Sequence, residues 1–145
     1  MTATNQYTIA LITTFVWIGF VCAISFLEAW LKFRAPGVTL PVGLGIGRLV
    51  FSALNKMEWV FTLVILGNLI LANTDLIQLK NLLFYLPLLL LILQTVWLLP
   101  AMDLRAEQYI SNVAVGSSSL HYYYVGFELI KIICLFTFGI KLLKI

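Results

Sequence analysis

The chain has 145 residues, of which 62% are hydrophobic and only 10% charged, and nine Lys/Arg against six Asp/Glu leave a formal charge of +3. An ordinary soluble domain is about 45–50% apolar and about 25% charged, and a small fold keeps much of its surface in water. These figures exclude a soluble globular domain, a disordered chain and a disulfide-stapled secreted module, and leave an all-α integral membrane protein forming a single domain over 1–145. Its basic residues are scattered rather than aligned on one polar face, so membrane lipids are the expected partners and nucleic acid is not.

No charged residue occurs from Met1 to Leu27. A bilayer core of about 30 Å takes about 20 apolar residues as helix, so a first span is expected over 8–31. It should stop at Lys32, Arg34 and Ala35-Pro36-Gly37, where proline and glycine oppose further helix. The segment lacks the basic start and short apolar core of a secretory signal, and is read as retained. Cys22 here and Cys134 near the C-terminus sit in apolar runs and read as small buried hydrophobes.

The second span is expected over 42–73. Trp59–Asn73 alone is too short to cross, so 42–58 either extends it as one long helix or forms a short interfacial helix feeding it. Gly43 and Gly47 lie four apart, a spacing that lets helices approach closely. The run Gly43-x-Gly45-x-Gly47 lacks the strand before it and the Lys-Ser/Thr after it that a phosphate-binding loop uses.

A third span is expected over 81–102, almost wholly aliphatic or aromatic from Leu82 to Leu99 and tolerating Pro87. Ala101–Ser119 reads as a polar, amphipathic connection ending in three serines suited to capping a helix. The fourth span, 120–143, carries Glu128 and Lys131 well inside. The expected architecture is a four-transmembrane-helix up-down-up-down bundle. Both termini then share one side of the membrane with the Thr74–Lys80 loop. Lys32, Arg34, Arg48, Lys56 and Arg105 fall on the opposite side, against Lys80, Lys141 and Lys144, and the first helix is followed rather than preceded by basic residues. The positive-inside rule therefore places the termini on the non-cytoplasmic face of a bacterial inner (plasma) membrane. Trp30, Trp59, Trp97 and Tyr122–Tyr124 fall towards the cytoplasmic side, as an aromatic belt would.

Ionisable side chains within spans are costly and pair or face water, so their positions mark the candidate site. Glu28, Arg48, Asn55, Glu58, His121, Tyr124, Glu128 and Lys131 are the expected lining of a polar pocket near that face. The competing reading makes the same residues structural ion pairs. Glu28 and Lys32 have the i, i+4 spacing and order that favour a helix ion pair. His121 is the only histidine. Bis-histidine haem and a histidine-rich metal site are thereby excluded, and no catalytic residue, cofactor or metal is assigned.

Trp17-Ile18-Gly19, then Phe33-Arg34-Ala35-Pro36, then Gly47-Arg48-x-x-Phe51, resemble compact four-helix membrane proteins of the copper-resistance-D-like type and their uncharacterised transmembrane relatives. The stretch covers about the first 60 residues. The resemblance implies a four-helix bundle acting in tolerance to, or traffic of, small solutes or metals. Copper itself is not carried over, because Met1, Met57 and Met102 do not form a soft-ligand motif. Three functions follow as expectations. The first is non-enzymatic binding or passage of a small solute, ion or lipid through the polar cluster. The second is a structural or assembly subunit that docks on a membrane-protein partner or a second copy. The third, least favoured, is an intramembrane enzyme.

Overall fold

The computed structural model describes residues 6–73 and 79–144, and over these the chain is helical with no strand. The expected loop at 74–80 falls largely outside the described residues. Helix α1 runs over Thr8–Arg34, with a looser π-helical stretch at Cys22–Glu28 and a final 3-10 turn at Lys32–Arg34. Helix α2 is Leu40–Leu71, helix α3 covers residues 79–110 with a π-helical stretch at Gln94–Leu98, and helix α4 is Leu120–Leu143. By length and composition, Thr8–Arg34, Leu40–Leu71 and Asn81–Ile110 are long and apolar enough to cross a membrane.

Local chemistry explains where the helices stop. Ala35 is extended before Pro36, as the residue preceding proline must usually be, and Gly37 turns the chain at φ +81°. Thr39 is also extended, and Pro41 then stands in the first turn of α2, where its missing N–H costs nothing. Asn73 and Asn112 follow α2 and α3 in the left-handed region, at φ 48° and 56°. At the second of these ends, Val113 N–H donates to the Gln108 carbonyl (2.9 Å) and Asn112 N–H to Tyr109 (3.2 Å), a Schellman-type closure.

Of the two alternatives for residues 42–58, the structure has the single long helix, running unbroken within α2. One expectation changes. The polar segment after Met102 is also helical, to Ile110, so the connection to α4 shortens to 111–119. The hydropathy fall at 103 therefore does not coincide with the end of the helix.

Each helix buries one stripe at helical spacing: Ala10, Thr14, Trp17, Val21 and Ser25 on α1, and Leu54, Glu58, Phe61, Ile65 and Leu69 on α2. On α4 the stripe is Tyr124, Glu128, Lys131, Leu135, Phe138 and Leu142. Contacts pair α1 with α2 in antiparallel sense, Ala10 N–H reaching Asn68 (3.1 Å) and Trp17 reaching Glu58 (2.9 Å). In the same sense α3 meets α4 through Phe84–Phe138 (5.6 Å) at one end and Trp97–Tyr123 (6.2 Å) towards the other. The outward faces are apolar, with Leu49, Leu63, Leu71, Val96 and Ile133 all well exposed. Cys22 is among the outward residues, and Cys134 is half-buried, so neither is the core hydrophobe that its apolar run suggested. Trp30, Trp97, Tyr122 and Tyr123 do face outward, but Tyr124 turns into the bundle.

Helix α4 packs on α1 at Gly139, where an added Cβ would stand 3.0 Å from the Phe15 ring and 3.6 Å from Thr14. A larger side chain there must displace the Phe15 ring and crowd Thr14. Gly139→Leu is therefore expected to destabilise the protein by about 1–3 kcal/mol, the usual cost of overpacking, seen as a lower thermal midpoint in detergent.

Candidate functional site

The polar residues of the core form two tiers. The inner tier is a closed network. Lys131 on α4 is wholly buried and its ammonium has three N–H donors. It donates to Glu58 Oε1 on α2 and Gln94 Oε1 on α3 (2.7 Å), and it is ion-paired with Glu128 Oε1 one turn back on α4 (3.0 Å). Gln94 Nε2 donates in turn to Glu128 Oε1 (2.7 Å), and Trp17 Nε1 on α1 donates to Glu58 Oε1 (2.9 Å). All four helices are thus tied at one level. Below it, towards the helix ends near Ala10 and Leu142, the interior closes with Phe61, Ile65, Phe84, Leu135 and Phe138.

The network is nonetheless incomplete. Glu128 Oε2 and, on α2, Thr62 Oγ1 are buried with no hydrogen-bond partner. Tyr124, a turn before Glu128, is also buried, its hydroxyl 3.4 Å from Ser25 Oγ on α1.

The outer tier borders a cavity of about 520 Å³ between α1, α2, α3 and the start of α4. Its deepest polar side chains are Asn55 and Thr95. Asn55 Nδ2 and Trp59 Nε1 both donate to Thr95 Oγ1 (3.0 Å each), while Thr95 donates to the Leu91 carbonyl (2.8 Å). A threonine bonded back to the previous turn bends or opens a helix, and Pro100 removes a further backbone donor just beyond. These two residues account for the π-helical stretch at Gln94–Leu98, which sets Gln94 and Leu98 on the buried side.

Lys32, Arg48, Lys56 and His121 stand on the cavity wall among apolar groups such as Phe33, Phe51 and Leu99, with Asp103 as the one carboxylate. Arg48 grips Asp103 through both Nε and Nη2 and lies 3.6 Å from Glu107. Lys32 pairs with Glu28 at 3.3 Å and lies over the Phe51 ring at 5.2 Å. Its ammonium also sits 2.9 Å from where a Cβ at Gly47 would be, so the glycine makes room for the cation as well as for close helix approach. Lys56 has no ion-pair partner among the described residues.

The eight candidate residues are therefore divided. Arg48, Asn55 and His121 line the cavity; Glu58, Glu128 and Lys131 form the sealed network; Tyr124 packs beside it with Ser25; Glu28 braces Lys32 at the rim. Sequence reading passed over Trp17 and Gln94, the groups that bring α1 and α3 into the network. Gln94 could have been found as the one amide in an otherwise leucine-rich run, since an unpaired amide in such a run is as costly as a charge is conspicuous. Trp17 had no comparable signal.

Comparison with known proteins returns no match to a protein-family model, to a curated protein or to a solved structure. The site is thus interpreted from its own chemistry. Removing the cation from a buried pair commonly costs about 3–5 kcal/mol, because it strands the opposite charge. Lys131→Met, which strands carboxylates on two helices, is expected to reach that range or fail to fold, whereas Lys141→Met at the exposed end of α4 should change little. Thermal unfolding followed by Trp fluorescence in detergent distinguishes them.

Proposed function

We propose that this chain is a four-helix up-down-up-down integral membrane protein that binds an anionic amphiphile, of the membrane-lipid class, in the cavity at one end of the bundle. The observation that carries this reading is the cavity wall, a largely apolar lining that includes the basic residues Lys32, Arg48 and Lys56 and a single acidic one, Asp103. Arg48 and Lys32 are already compensated by acids; Lys56 is not. A ligand with an apolar body and a negative head complements both features at once, and ligand sites are commonly apolar clefts with a few placed polar groups. Basic pockets between membrane helices bind anionic lipid head groups by this chemistry.

Binding fits better than passage. Glu58, Glu128 and Lys131 are buried and do not line the cavity. A closed interior also favours a second reading, an assembly subunit whose outer faces dock on a partner membrane protein. An intramembrane enzyme has less support, since the buried carboxylates do not line the cavity.

Native mass spectrometry in mild detergent tests the proposal. The wild type should retain phosphatidylglycerol in preference to phosphatidylcholine. Lys56→Gln should weaken that retention about fivefold, the effect of roughly 1 kcal/mol per basic residue at a lipid surface. Equal retention of both lipids, insensitive to Lys56, would refute it, and a stoichiometric co-purifying protein would favour the assembly reading.

A further inference from the structure

We infer that the ligand of the cavity is a phospholipid whose head group carries a second phosphate, held by Arg105 in a smaller cavity beside the first. The inference rests on the cavity reading above and adds the class of head group. The smaller cavity, of about 210 Å³, lies between the start of α2, the last turns of α3 and the start of α4. Leu44, Met102, Ala106 and His121 belong to the walls of both cavities, so the two adjoin. Lys56 lines only the larger and Arg105 only the smaller.

The chemistry of the smaller cavity selects an anion. Its polar wall is Arg105, Tyr109, Ser118 and His121, with no carboxylate. Arg105 has no ion-pair partner among the described residues. The two acids that flank it on α3, Asp103 and Glu107, are taken by Arg48 instead. Arg105 Nη2 donates to the Gly116 carbonyl, and its Cζ lies 5.7 Å from the centre of the Tyr109 ring. A guanidinium has five N–H donors, so several remain for a ligand. Ser118 Oγ accepts from Leu120 N–H (3.2 Å), which leaves its own hydrogen to donate. Arginine matches phosphate in particular, because two parallel N–H groups can meet two of its oxygens.

Two cations in adjoining cavities therefore lack an acid, Lys56 in the larger and Arg105 in the smaller. They do not share a cavity, so one compact anion does not serve both. Along α2, Lys56 stands eight residues from Arg48, about 12 Å of helix. Arg48 in turn is bound to Asp103, two residues before Arg105 on α3. Two phosphates joined by a short polyol, met by a long side chain at each end, suit that interval. The apolar wall of the larger cavity, with Phe33, Phe51 and Leu99, suits acyl chains and favours a lipid over a soluble diphosphate.

Native mass spectrometry of the full chain tests this with phosphatidylcholine, phosphatidylglycerol and phosphatidylglycerol phosphate of the same acyl composition. The last differs from the second only by its added phosphate. The wild type should retain it about fivefold better than phosphatidylglycerol, the effect of one further basic residue near an anionic head group. Arg105→Gln should erase that gain and leave the preference for phosphatidylglycerol over phosphatidylcholine intact. Arg105→Lys keeps the charge and should keep most of the gain. Equal retention of the two anionic lipids by the wild type, or a gain untouched by Arg105→Gln, would overturn the inference and leave the cavity reading standing. A loss in Arg105→Lys as large as in Arg105→Gln would also sink it, because the effect would then follow the Gly116 contact and not the charge. An Arg105-dependent adduct of inorganic diphosphate, with both anionic lipids retained alike, would put the ligand in solution and refute the lipid assignment. Equal retention of all three lipids would remove the cavity reading itself, and this inference with it.

Discussion

The structure depends on one buried cation. Inside a membrane the apolar surfaces of helices gain little by meeting one another rather than lipid, so close packing and interhelical hydrogen bonds must choose the arrangement. Lys131 can be buried only if its charge and its donors find partners, and Glu58, Gln94 and Glu128 supply them from three helices. Trp17 extends the same set to the remaining helix. A rotation of any helix by one residue would strand a charge or an amide in a dry interior, at several kcal/mol. Individual interhelical bonds of this kind are worth only about 0.6–2 kcal/mol. The network's force lies in the cost of its alternatives.

That level divides the bundle into two unlike halves. On one side the core is conventional packing, with Trp17, Phe84 and Phe138 in aromatic contact and Ile65, Leu69 and Leu142 filling between them. On the other side the helices part around a cavity whose apolar wall carries basic residues, two of them paired with acids. Glycine keeps this half in register: a Cβ at Gly43 would collide with the Phe33 ring, and Gly47 admits the Lys32 ammonium. The lower half is thus closely packed and the upper half hollow.

The two π-helical stretches lie where this division occurs. Gln94–Leu98 is opened by the back-bonded Thr95 and the missing donor of Pro100, and it hands Gln94 to the network and Thr95 to the cavity floor. Cys22–Glu28 buries Ser25 against Tyr124 and ends at Glu28, the partner of the rim cation Lys32. An extra residue per turn re-aims side chains that a regular helix would send elsewhere. Both sites of polar chemistry on α1 and α3 are positioned in this way.

Much of this was legible in the amino acids alone. Hydropathy located the long apolar helices, the i, i+4 spacing anticipated the Glu28–Lys32 pair, and the shared helix face of Glu58 with Asn55, and of Glu128 with Lys131, was readable from period 3.6. These are local properties, decided by composition and by helical geometry that every sequence obeys. Tertiary structure alone separated one expected pocket into a lined cavity and a sealed network, recruited Trp17 and Gln94, and left Glu128 Oε2 without a donor. Those outcomes depend on which helix faces which, and at what height, and no residue carries that information until its partners are in place.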